Sequence, residues 1–169
     1  DTQTTVTISV TDASSDDNYD SVADQTVTVT TTDNETAGFT LSKTSATVTE
    51  AGGTDTYTVV LDAQPDSNVV LSVSSADTGE VTVSAATLTF TTSNWDTAQT
   101  VTLTGVNDDV VDADTQTTVT ISVTDASSDD NFDALADQTV TVTTTDNETA
   151  SFTKSETTQT VTEAGGTDT

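Results

Sequence analysis

Valine and threonine alternate along this chain, as TTVTISVT at 117–124, TVTVTTT at 139–145 and TVTLTGV at 100–106. A period of two built from β-branched residues is that of a half-buried strand, with Val and Ile turned inward and Thr outward. Clusters of Asp, Asn, Gly and Ser punctuate the alternation, and no window carries a helical stripe. The pattern predicts an all-β chain of antiparallel β-sandwiches. Between residues 37 and 149 it predicts strands near 45–50, 54–62, 69–75, 80–90 with an interruption, 98–106, 116–124 and 138–145. The predicted inward set is Phe39, Val48, Tyr57, Val59, Leu61, Val70, Val81, Leu88, Phe90, Trp95, Val101, Leu103, Val119, Ile121, Val123, Phe132, Leu135, Val140 and Val142.

The alternation itself recurs. Residues 1–56 and 114–169 are identical at 48 of 56 positions, a period of 113 residues, and the exceptions include the mild pairs Tyr19/Phe132 and Val22/Leu135. A period of domain size means tandem domains that each bury a core, whereas solenoid units run to about 20 to 50 residues. The period divides the chain into residues 1–36, the C-terminal strands of one repeat; 37–149, one complete repeat; and 150–169, the N-terminal strands of the next. Neither end falls on a repeat boundary, so the chain is expected to be a window on a longer repetitive protein. Near-identical consecutive copies suit a spacer, stalk or multivalent binder better than an enzyme.

Counting the strands up and down sorts the loops. Loops 51–53, 76–79 and 107–115 and the exit at 146–149 fall at one end, and 63–68, 91–97 and 125–137 fall at the other. The first end gathers Glu50, Asp77, the run Asn107, Asp108, Asp109, Asp112 and Asp114, and the run Asp146, Asn147 and Glu148. The preceding copy carries a partial equivalent at Asp33, Asn34 and Glu35 with Asp1, and Glu163 belongs to the following copy. More than four oxygen donors from four segments, with no His or Cys, suit Ca2+ and disfavour zinc. The spacing fits neither an EF-hand loop nor a Gly-rich nonapeptide roll, so the expectation rests on convergence of segments.

Charge sharpens this. The chain carries 29 acidic residues against Lys43 and Lys154, a formal charge of -27. Nucleic acid and direct membrane contact are excluded as expectations, because phosphate needs Lys and Arg. Acids crowded at one end need cations or high salt to screen them. With no Cys and no His, disulfides, thiolate zinc sites and a Ser-His-Asp triad are all ruled out. Few aromatics imply a thin core of modest stability, which favours stabilisation by a bound metal.

The segments VTEAGG at 48–53, TYTVVLDAQP at 56–65, LTFTTSNWDTAQTVTLTGVNDDVVD at 88–112 and TDNET at 145–149 resemble the Calx-beta family of Ca2+-binding sandwich domains. They are more closely similar to the Calx-beta-like, Ig-like tandem repeats of giant bacterial surface proteins. The resemblance implies that Glu50, Asp77, Asn107 with Asp108 and Asp112, and Asp146 with Asn147 and Glu148 bind calcium. Two features depart from the family: Asn stands for an expected Asp at 107 and 147, lowering the ligand charge, and SADTGEVTVS around Asp77 is shorter than its counterpart.

The expectation is therefore a structural, non-catalytic repeat of a large extracellular adhesin or fibre at the bacterial cell surface, stiffened by Ca2+ at its junctions. Its expected partners are neighbouring repeats in the same chain and other copies in a fibre. The acidic loop TDASSDDN at 124–131 is expected at the opposite pole, facing a neighbour's metal end. Two alternatives stay open: a self-assembling filament subunit, and a glycan-binding module using Trp95 and the Thr faces. The sequons at Asn34 and Asn147 lie inside the acidic strips and read as ligand or linker rather than glycan sites.

Overall fold

Alternation sets strand and face together, and the two copies of the same hairpin differ in what surrounds them. The computed structural model describes residues 1–167, which divide into two compact units, Asp1–Thr36 and the residues from Ala37 onward. Asp168 and Thr169, the end of the expected 150–169 segment, lie outside the described residues. The first unit is a single antiparallel hairpin of β1 (Thr2–Ile8) and β2 (Gln25–Thr31), paired from Thr2↔Thr31 to Ile8↔Gln25. Its inward-type residues Val6, Ile8, Val27 and Val29 are exposed.

The second unit holds β3 (Phe39–Leu41), β4 (Ser45–Thr49), β5 (Thr54–Leu61), β6 (Val69–Ser75), β7 (Val81–Val83), β8 (Thr87–Phe90), β9 (Gln99–Gly105), β10 (Thr115–Val123) and β11 (Gln138–Thr145). One sheet has the order β3-β5-β9-β7 and the other β4-β11-β10-β6-β8. These are the A-B-E-D and G-F-C orders of an immunoglobulin-type sandwich, with the first strand split between the sheets. All pairs are antiparallel except β4 with β11, which run parallel from Thr141↔Ser45 to Thr145↔Thr49. That one parallel pair departs from the all-antiparallel expectation, and it follows from the split: β4 crosses to the sheet that does not hold β3.

Strand β3 was not foreseen, because three residues carry too little alternation to register. The expected strand at 80–90 is two strands in different sheets, β7 pairing with β9 and β8 with β6. Both run antiparallel to partners that themselves run the same way, so β7 and β8 share one direction. The sorting of loops into two ends therefore survives the break.

Core residues from both sheets interlock, including Val48, Tyr57, Val59, Leu71, Val81, Phe90, Val101, Leu103, Val119, Ile121, Phe132, Val140 and Val142, all buried. Trp95, Val123 and Leu135 pack against this core while partly exposed. The expectation for Val70 was wrong by one residue: Val69, Leu71 and Val73 are the buried members of β6. Two adjacent valines hide the phase, which Leu71 and Val73 set.

Two glycines shape the upper end of this unit. Gly52 holds φ +81 in the turn between β4 and β5. At Gly105 a Cβ would collide with the Thr49 carbonyl oxygen, so only glycine lets β9 approach β4 so closely. Residues 150–167 form no strand and are exposed. Their sequence equivalents in the second unit, β3 and β4, exist by pairing with β5 and β11, and the free edge of β11 is already taken by β4.

Candidate metal centre

Strand directions place four segments at one end of the second unit: the turn after β4, the β6–β7 loop, the β9–β10 loop and the exit from β11. Each is anchored by backbone. The N–H of Glu50 donates to the carbonyl of Thr145 at 3.2 Å, that of Val106 to Glu80 at 2.9 Å, and that of Gly105 to Gly53 at 3.0 Å. Three contacts tie the exit to the β9–β10 loop: Ala113 N–H to Asp146 Oδ2 at 3.0 Å, Asp146 N–H to Asp114 Oδ1 at 3.2 Å, and Asn147 Nδ2 to Asn107 Oδ1 at 3.0 Å.

Two carboxylate clusters result. In the first, Glu50, Asp146 and Glu148 each offer an oxygen within 4.8 Å of the others. Glu50 is only 2% exposed, and Glu148 Oε2 is buried without a hydrogen-bond partner. The second cluster joins Glu80, Asp108 and Asp112 on the same criterion. Glu80 is 8% exposed and its Oε2 is also buried and unpartnered. Among the described residues the one ion pair is Lys43 with Asp55, so no basic side chain neutralises either cluster.

The acids respond to one another. Glu148 is pushed up to about 7, first by hydrogen bonding with Glu50 and with Asp146, then by burial and the same two charges. Asp146 is held below the ordinary range, chiefly because it accepts the N–H of Glu148 at 2.8 Å. Burial raises Glu80, and the charges of Asp112, Glu50, Asp77 and Asp108 add to it. Buried carboxylates facing each other without a cation are costly, and hard oxygen donors in this density are what Ca2+ takes.

The expected residues divide accordingly. Glu50, Asp108, Asp112, Asp146 and Glu148 fall in the clusters. Asp77 does not: its Oδ1 accepts the N–H of Gly79 at 2.8 Å and its carbonyl that of Val81 at 3.1 Å, so it shapes the turn. Asp109 is exposed, and Asp114 positions the exit through Asp146. Asn107 and Asn147 bond to one another, and Asn147 Nδ2 also reaches Glu50 Oε2 at 3.5 Å. In the first unit Asp33 accepts the N–H of Glu35 at 3.2 Å and donates its own N–H to Asp1 Oδ1 at 2.9 Å. Asn34, between them, is exposed.

Sequence reasoning missed Glu80. Alternation gave no signal for it, because the residue beside an inward Val81 is expected to face outward. The opposite pole holds a different acid. Asp129, 4% exposed, accepts N–H groups from Asp66 at 2.7 Å, Ser67 at 2.8 Å and Asn131 at 3.0 Å. Burial pushes it up, but those donors outweigh burial and hold it below the ordinary range. Part of the acidic loop thus turns inward to fasten the β5–β6 loop. Trp95, whose carbonyl accepts the N–H of Leu61 at 3.2 Å, packs on the core rather than standing free as a sugar platform.

No family model and no curated protein matches this chain. Among solved structures it is similar to domains 4 and 5 of the S-layer protein SbsC, at 22% identity and TM-score 0.46, over 75% of this chain and 54% of that one. It is also similar to the E. coli chaperone DraB, at 7% identity and TM-score 0.46, over 65% of this chain and 55% of that one. The periplasmic chaperone SfaE aligns at 10% identity and TM-score 0.47, over 66% and 59%. The chain thus spans little more than half the length of each. No helix among the described residues is long and apolar enough to cross a membrane.

Proposed function

We propose that this chain is a calcium-stabilised structural module of a large extracellular surface protein, a Calx-beta-like repeat without catalytic activity. One observation carries the reading: two clusters of three carboxylates at one end of the sandwich, each containing a nearly buried Glu and a buried oxygen with no partner. Glu50, Asp146 and Glu148 would hold one ion, and Glu80, Asp108 and Asp112 another. A divalent cation would supply the positive charge that these six acids lack, of which Glu50 and Glu80 are buried, and would give the orphan oxygens of Glu80 and Glu148 a partner.

Chain order ties this to the repeat. Asp146–Glu148 are the last acids of one copy, and the next copy begins at about residue 150. An ion gripping those acids would fix the direction in which the chain leaves, so the same chemistry would stiffen a tandem array. The lateral faces of the sheets carry mainly Thr and Ser, while the acids concentrate in the loops. That arrangement suits a rod whose joints respond to calcium.

Calcium titration calorimetry on the 169-residue chain tests this reading. The expected result is heat that saturates, with loss of a separate part of it in Glu50→Gln and in Glu80→Gln. Absence of any saturable heat at millimolar Ca2+ would remove the metal assignment.

A further inference from the structure

We infer that Val110 and Val111 form an apolar latch that seats against the base of the following repeat in the same chain. Among the described residues of 37–149 they are the only large apolar side chains left exposed, at 56% and 53%. They stand between Asp108 and Asp112, two acids of one carboxylate cluster. The loop is held in that shape: the N–H of Val110 donates to Asp108 Oδ1 at 2.6 Å, and Ala113 is tied to Asp146. An apolar pair displayed in this way suits a contact rather than solubility.

The path of the chain supplies the partner. The exit at Asp146 and Asn147 is bonded to the same loop through Ala113, Asp114 and Asn107. Phe152, four residues beyond Glu148, is the equivalent of Phe39 at the spacing of 113 residues, and four residues reach at most about 14 Å. Phe39 opens β3 at the base of its own unit. The chain therefore holds the base of the following repeat beside the loop that carries Val110 and Val111.

The complete repeat shows what such a base offers. At its own base a hollow of about 330 Å3 is lined by Phe39, Leu135, Ala136 and Gln138 with Asp62 and Asp137. Leu135 packs on the core while partly exposed, and Ala136 is exposed. Each repeat thus carries an apolar knob at one pole and a partly apolar hollow at the other, the arrangement of a head-to-tail contact that continues without closing. The acids around both surfaces repel one another. A cation on Glu80, Asp108 and Asp112 lowers that repulsion, so calcium tightens the latch. This gating rests on the calcium reading above, and the latch itself does not.

The chain has no Cys, and its last residue is the equivalent of Thr56, so appending Tyr57–Thr149 after Thr169 completes the following repeat. In this extended chain Val111→Cys is combined with Ala136→Cys in the added segment, and disulfide formation under mild oxidation is timed with and without Val110→Ser. The latch predicts a rate about tenfold lower with Val110→Ser, the effect of losing roughly 1.4 kcal/mol of apolar burial, and a rise with millimolar Ca2+ where Val110 is kept. Equal rates with and without Val110→Ser, or no disulfide in either, overturn the latch. Val110→Ser should leave the melting of the 169-residue chain unmoved; a fall there places the pair in the packing of its own unit and also overturns the latch. A Val110-dependent rate indifferent to Ca2+, in a chain whose second unit Ca2+ stabilises, overturns the gating alone. If Ca2+ does not stabilise the second unit, the calcium reading fails while a Val110-dependent rate still upholds the latch.

Discussion

Ala113 holds φ +66 and donates its N–H to the carboxylate of Asp146 at 3.0 Å, joining the β9–β10 loop to the exit of β11. The left-handed conformation costs a non-glycine residue about 1–2 kcal/mol, and here it aims a donor at a cluster acid. Ala113→Gly is expected to melt no lower than the native chain. Ala113→Val, with a branched Cβ in that conformation, is expected to lose about 1–2 kcal/mol in urea unfolding. Equal stability of the two variants would mean that the turn is not held.

Glu80→Gln is expected to act in opposite directions under two conditions. In chelator it removes a buried charge that faces Asp108 and Asp112, so the chain should unfold at higher urea. In millimolar Ca2+ it removes a ligand, so stability should fall below native. Thermal and urea unfolding in both buffers check this, and a change of the same sign in both would make Glu80 structural only.

The pH dependence follows from the raised acids. Glu148 titrates from 4.5 in the unfolded chain to about 7 in the folded one, so between those values the folded state binds the extra proton. Metal-free stability should therefore fall as pH rises from about 4.5 to about 7. Calcium holds the carboxylates ionised, so the gap between calcium and chelator melting curves should widen over the same range. Glu148→Gln should flatten the metal-free slope. A metal-free stability that climbs through this window would contradict the cluster.

Asp129 supplies a test independent of metal. Its buried carboxylate fastens Asp66 and Ser67, and truncation removes the charged acceptor that their N–H groups share. Asp129→Ala should cost about 3 kcal/mol with or without Ca2+. Because its carboxyl is held below the ordinary range, the stability it supplies is present above its unfolded value of about 3.8 and lost as pH falls through the folded one.

Much of the fold was legible because Val-Thr alternation specifies strand and face together. The runs around Val119 and Val140 were plain, since Val119, Ile121, Val140 and Val142 mark the inward phase, which Thr117 and Thr144 continue at the strand ends, and the residues between them are polar. Val70 failed because a neighbouring valine concealed the phase, and β3 because three residues cannot show a period. The metal end was legible in part: strand direction brought Glu50, Asp108 and Asp146 to one pole, a result needing no side-chain detail. It could not distinguish Asp77, which caps its own turn, from Glu80, three residues on, whose inward aim depends on how β7 enters the sandwich. The missing strands at 150–167 have the same kind of cause, because edge strands exist only beside a partner that sequence alone does not place.

Calorimetric melting of the 169-residue chain in chelator and in rising Ca2+ separates ligation by the acidic clusters from mere screening. Specific binding to the folded clusters predicts a transition of the second unit that rises with the logarithm of free Ca2+, by RT ln(1 + [L]/Kd) in stability, with Mg2+ raising it less. A transition unmoved by millimolar Ca2+, or moved equally by Mg2+ and by the same ionic strength of Na+, would show that the acids are screened rather than ligating.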